Sequence, residues 1–216
     1  MFSKLFSWWG GGKSEAAAGE SNVLDDEGSS TGTREGSTAM RLTISSFKKK
    51  FPTVKCVKTD VVQTWLQEGS ASTKVGDIIE KRPLVVVDSR PDSEYQVSHI
   101  PGAIRIDYTT DHMDDVVQQI KKSVDEESKD LTKTVVLYCS LGYRSCVLAE
   151  KVMKACQDSD LDVYNMEGGL FKWANEGAPM ENGSGRLTKY AHPYNYVFGK
   201  LLHHSLRKET PENMEK

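Results

Sequence analysis

Long apolar runs are missing from this sequence of 216 residues, and so is a strong charge of either sign. No stretch approaches the roughly 20 apolar residues that a membrane-spanning helix needs, and no continuous apolar segment of the secretory-signal type opens the chain. The formal net charge is -3, and no stripe of lysine and arginine crosses the middle of the chain. The first absence excludes a transmembrane helix, and the second speaks against nucleic acid as a partner. We therefore expect a cytoplasmic protein that binds no nucleic acid.

Cysteine is also scarce, and its spacing holds no metal signature. None of the four cysteines forms a CxxC pair with another; they are Cys56, Cys139, Cys146 and Cys156. Without a secretory signal we expect free thiols in a reducing compartment, with no metal and no cofactor. Each thiol is then either a buried apolar group or a reactive one.

Composition divides the chain into three parts. Residues 10–40 are rich in Gly, Ser, Ala, Thr and acidic residues, which cannot bury a core, so we predict a disordered tail over residues 1–40. A folded domain is expected over residues 41–182. Residues 183–216 form a C-terminal extension.

Within the predicted domain, strand patterns and helix patterns alternate five times. Continuous apolar runs such as Leu84–Val87 are typical of strands that are buried on both faces. The predicted strands cover residues 54–57, 84–88, 103–106, 135–138 and 163–166. This alternation predicts an α/β fold, with an open parallel five-stranded sheet and helices on both faces.

The segment VVLYCSLGYRS, residues 135–145, carries the strongest chemical signal. Cys139 follows the strand predicted to be central, at the carboxyl end, where ligands bind in such sheets. The loop after it leads into a helix, so loop amides and the helix N-terminus should present partial positive charge to the sulfur. Gly142 permits the turn, and Arg144 adds a full positive charge. These features favour the thiolate and make Cys139 a candidate nucleophile.

Three motifs in order make the chain resemble the rhodanese-like (sulfurtransferase) domain family, of the single-domain type. The loop from Cys139 to Ser145 is similar to that family's CxxGxRS active-site loop. Upstream and downstream, the resemblance rests on Asp88-Ser89-Arg90, Glu94-Tyr95, His99-Ile100-Pro101-Gly102-Ala103 and Glu167-Gly168-Gly169 with Trp173. It covers residues 55–179. At residue 98 the family often has Gly where this chain has Ser, a departure that we expect at a surface turn.

The resemblance implies a sulfurtransferase that works through a persulfide on Cys139. The sulfur would come from thiosulfate or a low-molecular-weight persulfide and pass to a thiol or to cyanide. Arg144 would attract an anionic donor, and the substrate-binding loop would comprise Ser140, Leu141, Gly142, Tyr143, Arg144 and Ser145. The expected partners are then a small-molecule sulfur donor and a thiol acceptor. The protein is expected to be a monomer. The alternative is a catalytically weak module of the same fold that recruits partners or a membrane surface through its tails.

A cysteine phosphatase is a further alternative that the loop length disfavours. Those enzymes use Cys-x5-Arg, whereas Arg144 follows Cys139 with Cys-x4-Arg spacing. A loop shorter by one residue suits a sulfur atom better than a tetrahedral oxyanion. We expect no phosphatase or arsenate-reductase activity.

Other marked residues allow two interpretations each. Asp88 and Arg90 either support the active loop or form a helix cap with a local pair to Glu94. Cys146 either packs or forms a disulfide with an oxidised Cys139. His99, in a Pro-Gly turn, is expected to be structural.

Both ends carry amphipathic patterns. In the first, Phe2, Leu5, Phe6 and Trp9 share one helical face, so residues 2–9 either insert into a membrane surface, bind a protein partner or form an unstructured end. In the second, an amphipathic helix is predicted from the apolar stripe Tyr194, Val197, Phe198, Leu201 and Leu202. It either packs on the domain or binds a membrane or partner.

Overall fold

The structure, a computed structural model, describes residues 31–75, 78–124, 131–156 and 160–211. The apolar segment at residues 2–9 and most of the tail predicted for residues 1–40 lie outside these ranges. Within the described residues, no helix has both the length and the apolar character needed to cross a bilayer.

Nine strands and six α-helices make up the described part of the chain. The strands are β1 (Lys55–Val57), β2 (Ala71–Val75), β3 (Ile78–Arg82), β4 (Leu84–Asp88), β5 (Ile104–Arg105), β6 (Lys133–Tyr138), β7 (Leu161–Met166), β8 (Met180–Glu181) and β9 (Leu187–Thr188). The helices are α1 (Thr31–Lys50), α2 (Thr59–Glu68), α3 (Asp92–Val97), α4 (Met113–Lys122), α5 (Tyr143–Ala155) and α6 (Gly169–Asn175).

A five-stranded sheet organises the fold. Its strand order is β1-β7-β6-β4-β5, and every neighbouring pair is parallel. The predicted open parallel sheet is therefore confirmed. Strand β6 occupies the middle position, as the sequence predicted, so the residue that follows it lies at the centre of the carboxyl edge.

Apolar residues of β6 alternate between two cores. Val135 and Leu137 pack in a cluster with α4 and α5, whereas Val136 and Tyr138 pack in a cluster with α2 and α6. Because successive side chains of a strand point to opposite faces, the two clusters lie on the two faces of the sheet. Helices thus cover both faces, and all six residues of β6 are buried.

Two small antiparallel hairpins, β2-β3 and β8-β9, were absent from the sequence prediction. Most of β3 is exposed, and Ile78 and Ile79 are 71% and 70% exposed, so its pattern lacks the alternation of a half-buried strand. The second hairpin has strands of only two residues. These segments carry too few buried positions to produce a periodic signal.

Helix α1 begins at Thr31, ten residues before the predicted domain boundary at residue 41. The composition of residues 31–40 suggested a disordered tail, but Met40 is buried in the core beneath α2 and α6, with Ile44 and Phe47 packed against the same cluster. Tertiary burial of one helical face thus overrides the weak helix propensity of the glycine- and serine-rich start. Three lysines in the last turn, Lys48, Lys49 and Lys50, also suit the negative end of the helix dipole.

The predicted C-terminal amphipathic helix is wrong. Residues 194–202 contain one short 3-10 turn, Phe198–Leu201, and a second follows at His204–Leu206. Tyr194 has a φ of +64°, which is incompatible with a right-handed α-helix, so no α-helix includes this residue. The segment nevertheless packs on the domain, because Leu202 is fully buried and the side-chain amide of Asn175 donates to the carbonyl of Leu201 at 2.8 Å.

Candidate active site

Cys139 lies at the carboxyl end of β6, in the loop that leads to α5. Its side chain is almost fully buried, and the backbone N–H of Gly142 donates to its Sγ at 3.0 Å. Gly142 has a φ of +119°, a conformation that only glycine adopts readily, and it is the residue that turns the loop back over the sulfur. A backbone donor at this distance stabilises a thiolate.

The opposite side of the loop is held by the start of α6. The carbonyls of Cys139 and Ser140 accept hydrogen bonds from the backbone N–H groups of Leu170 and Phe171, at 2.8 and 3.0 Å. A Cβ placed on Gly169 would lie 2.3 Å from the carbonyl oxygen of Cys139. This contact explains the second glycine of the Gly168-Gly169 motif, because only glycine at residue 169 allows α6 and the loop to approach this closely.

Arg144 forms a buried ion pair with Glu94, a residue of α3. Its two terminal nitrogens lie 2.6 and 2.9 Å from the two carboxylate oxygens, and the second also donates to Ser140 Oγ at 2.9 Å. Ser140 Oγ in turn donates to Glu94 Oε2 at 2.9 Å. Three side chains thus form a closed network in which each polar group bonds both others.

The network fixes the charge state of both ions. Burial alone would raise the pKa of Glu94, but the hydrogen bonds and positive charge of Arg144 lower it below its usual value. Burial opposes the charge of Arg144, yet Glu94 and the neighbouring Cys139 sulfur raise its pKa, so the guanidinium stays charged. The charge that the sequence assigned to attracting an anionic donor is therefore already compensated by Glu94.

Asp88 and Arg90 form a second ion pair, with both side chains fully buried. The Arg90 nitrogens lie 2.9 and 2.6 Å from the Asp88 oxygens, and one also donates to the carbonyl of Ser98 at 2.5 Å. The local pair with Glu94 that the sequence allowed is not formed, since Glu94 bonds Arg144. Ser98 is fully buried, which corrects the expectation that it occupies a surface turn.

Ser89, between these two ions, connects them to the active loop. Its N–H and Oγ both donate to the carbonyl of Tyr138, at 2.9 and 2.7 Å, and Tyr138 directly precedes Cys139. Tyr138 OH accepts the N–H of Ile100 at 3.0 Å. Of the two interpretations of Asp88 and Arg90, this arrangement favours support of the loop.

The remaining marked residues occupy structural positions. Ser145 is fully buried and donates to Asn165 Oδ1 at 2.6 Å, away from the cavity. His99 stacks on Tyr95 with ring centroids 3.8 Å apart, and its Nε2 lies 3.3 Å from Glu181 Oε1. Cys146 packs in the cluster with α4 and α5, where burial raises its pKa and keeps it a thiol.

A cavity of about 360 Å³ opens above the loop. Five of the seven predicted loop residues line it, and three aromatic side chains from α1 and the C-terminal extension complete the wall; the full set is Phe47, Cys139, Ser140, Leu141, Tyr143, Arg144, Tyr194 and Phe198. Sequence reasoning missed the contributions of Phe47, Tyr194 and Phe198 to this wall. It also missed Glu94 as a partner of Arg144, although Glu94 stood within a quoted motif.

Comparison with known proteins identifies the domain that carries this loop. The family model of the rhodanese-like domain matches residues 72–176. The chain is similar to the HTH-type transcriptional regulator Rv0324 of Mycobacterium tuberculosis, with 30% identity over 105 residues, 49% of this chain and 41% of that protein. It is also similar to the tRNA uridine(34) hydroxylase of Acinetobacter baumannii strain AYE, with 28% identity over 106 residues, 49% of this chain and 31% of that protein.

Solved structures add a further resemblance. A Saccharomyces cerevisiae protein, described as a homolog of single-domain rhodanese and the Cdc25 phosphatase catalytic domain, shares 23% identity and a TM-score of 0.48, over 58% of this chain and 82% of that one. The matches to the two curated relatives span less than half of each relative. The family model confirms the resemblance predicted from the sequence: residues 72–176 match the rhodanese-like domain, and Cys139 lies within the matched residues.

Proposed function

We propose that this chain is a sulfurtransferase that carries sulfane sulfur as a persulfide on Cys139. The observation that carries the proposal is the position of Cys139 Sγ, which meets the Gly142 N–H at 3.0 Å and lines an open cavity. A thiol that only packs in a core needs neither a backbone donor nor a cavity. The two relatives are named for different functions, a transcriptional regulator and a tRNA uridine(34) hydroxylase, and the support for sulfur transfer comes from the site of this chain.

The reaction has two transfers of one sulfur atom. In the first, the Cys139 thiolate attacks the outer sulfur of a donor such as thiosulfate or a low-molecular-weight persulfide. The sulfur–sulfur bond of the donor breaks, and the leaving group, sulfite or a thiolate, departs with the electron pair. In the second, a thiolate or cyanide attacks the outer sulfur of the persulfide, and Cys139 leaves as the thiolate.

The loop supports both transfers. A persulfide sulfur is a soft anion that backbone N–H groups of the loop and the N-terminus of α5 stabilise. The network of Glu94, Arg144 and Ser140 keeps the loop in one conformation through both steps, so little reorganisation is needed when the sulfur arrives.

Steady-state kinetics test this proposal. With thiosulfate or glutathione persulfide as donor and cyanide or glutathione as acceptor, double-reciprocal plots should be parallel, as ping-pong transfer requires. Cys139→Ser should abolish the transfer, whereas Cys56→Ser should retain it, since Cys56 does not line the cavity. Activity that survives in Cys139→Ser would refute the mechanism. Absence of transfer with every donor would support the alternative of a binding module.

A further inference from the structure

The cavity above Cys139 is larger and more aromatic than transfer from an inorganic ion requires. Its volume of about 360 Å³ corresponds to roughly a dozen water molecules, at about 30 Å³ each, and falls in the range of cavities that bind organic ligands. Thiosulfate would occupy a small part of it. The volume alone therefore indicates a substrate with an organic body.

Aromatic residues make up half of the cavity lining. Tyr194 and Phe198 stack with centroids 6.1 Å apart, and Phe47 meets Tyr143 edge to face at 5.8 Å. Tyr143, Tyr194 and Phe198 are each about two-fifths exposed, at 38%, 41% and 39%. Large apolar side chains left open around one mouth are typical of a binding site rather than of ordinary surface.

Three of the four aromatic residues of the wall lie outside the residues that match the rhodanese-like domain. Phe47 lies in α1, and Tyr194 and Phe198 lie in the C-terminal extension, whereas the family model ends at residue 176. Tyr194 has a positive φ of +64°, a strained conformation for a non-glycine residue, and its ring lies 4.4 Å from the guanidinium carbon of Arg144. Strain of this kind persists when surrounding contacts fix it, and it often accompanies a functional site.

Charge at the site also disfavours a small dianion. Among the described residues that line the cavity, Arg144 is the charged one, and it is paired with Glu94 and covered by the ring of Tyr194. Together with the Cys139 thiolate, these side chains leave no net positive charge to compensate thiosulfate. A neutral sulfur compound meets no such repulsion, and a monoanion meets less of it than a dianion.

We propose that the substrates of Cys139 are sulfur compounds that carry a ring-sized apolar group, which Phe47, Tyr194 and Phe198 bind while the sulfur reaches the loop. This inference rests on the proposed function for its chemistry. For an aryl thiosulfonate, the Cys139 thiolate attacks the outer sulfur, the sulfur–sulfur bond breaks, and the aryl sulfinate leaves with the electron pair. The persulfide formed is the same as with any other donor.

Two donors that differ only in the apolar group provide the test. Benzenethiosulfonate and methanethiosulfonate have the same charge and the same reacting bond, and their rates with free glutathione correct for intrinsic reactivity. For the full chain we expect a corrected kcat/KM that is about tenfold higher for the phenyl compound, the scale of one or two aromatic contacts. Equal corrected values would overturn the inference and leave sulfur transfer itself intact.

Matched variants assign the preference to the wall. Phe198→Ala should reduce the phenyl preference several-fold, because kcat/KM for the phenyl donor falls by more than kcat/KM for the methyl donor. Tyr196→Ala is the control, because Tyr196 lies in the same segment but is 83% exposed and does not line the cavity. A phenyl preference that is unaffected by Phe198→Ala, or reduced equally by Tyr196→Ala, contradicts the role of these rings.

A binding measurement separates this inference from the proposed function. Calorimetric titration of Cys139→Ser with benzenesulfinate and methanesulfinate needs no catalysis. We expect the phenyl compound to bind about tenfold more tightly, and Phe198→Ala in the same background to remove most of that difference. If no donor transfers sulfur but this binding preference holds, the proposed function fails and the apolar pocket stands; if neither sulfinate is preferred, the pocket assignment fails.

Discussion

Removal of the carboxylate charge of Glu94 tests the network that holds the active loop. In Glu94→Gln the guanidinium of Arg144 stays in place with its side chain only 9% exposed, and the carboxylate that lies 2.6 Å away is lost. Removing one partner of a buried ion pair costs about 3 to 5 kcal/mol of unfolding free energy, because the other charge is left buried and uncompensated. The amide oxygen of Gln still accepts a hydrogen bond, so we expect the lower end, about 3 kcal/mol.

Urea unfolding measures this free energy, and a solvent-exposed ion pair of the same residue types provides the control. Glu80 pairs with Arg82 at 2.7 Å, but its side chain is 47% exposed, and Arg82 keeps a second partner in Asp162. For Glu80→Gln we expect a loss below about 1 kcal/mol. Sulfur transfer should fall with Glu94→Gln and stay unchanged with Glu80→Gln. Equal losses of stability in the two variants would refute the view that the buried pair fixes the loop.

Three further outcomes are expected from single sites. Gly169→Ala should destabilise the chain more than Gly177→Ala in urea unfolding, and it should also slow sulfur transfer. Both glycines have a positive φ, but only at Gly169 would the new Cβ meet the loop backbone, at 2.3 Å from a carbonyl oxygen. Equal losses of stability in the two variants would contradict this close approach. Iodoacetamide should alkylate Cys146 far more slowly than Cys139 near pH 8, since burial raises the pKa of Cys146 and hides its sulfur. Peptide mapping measures the two rates and would show the opposite order if Cys146 were reactive. The pKa of Glu94 is lower in the folded chain than in the unfolded chain, where it is about 4.3, so its charge stabilises the fold above that pH. This contribution is lost as the pH falls through the lower folded-state pKa, and the loss of stability in acid should therefore be shallower in Glu94→Gln. Identical slopes of stability against pH in the two proteins would contradict the shift.

The parallel sheet and its central strand could be predicted because their signals are local. β4 and β6 are continuous apolar runs, and the segments between strands show helical spacing, so the alternation alone selects the α/β class. The loop that follows β6 could be predicted for the same reason. Cysteine, glycine and arginine stand within six residues of one another in the sequence.

Glu94 and the aromatic wall escaped prediction because they are distant in sequence. Glu94 is 50 residues from Arg144 and only four from Arg90. The packing of α3 beside the loop shows that Glu94 pairs with Arg144. Both candidates, Arg90 and Arg144, have the right charge, so composition cannot choose between them. Phe47, on the other hand, depends on a helix whose start resembles a disordered tail.

The C-terminal extension shows how an amphipathic pattern can mislead. Its apolar spacing fits an α-helix, but the left-handed conformation of Tyr194 and the hydrogen bonds of Asn175 to the backbone of Leu201 and His203 hold the segment in 3-10 turns. Two of the residues that suggested a helix face, Tyr194 and Phe198, instead line the cavity. Tertiary contacts decide between these outcomes, and no local signal in the sequence reports them.

Intact-protein mass spectrometry tests the central claim most directly, namely that Cys139 carries the sulfur. After incubation with a sulfane-sulfur donor, the wild-type chain should gain about 32 Da, one sulfur atom, and lose it on treatment with cyanide or a thiol. Cys139→Ser should gain nothing, and Cys146→Ser should gain the same mass as the wild type. A sulfur adduct that persists in Cys139→Ser, or no adduct on the wild type with thiosulfate, glutathione persulfide or benzenethiosulfonate, would contradict the account.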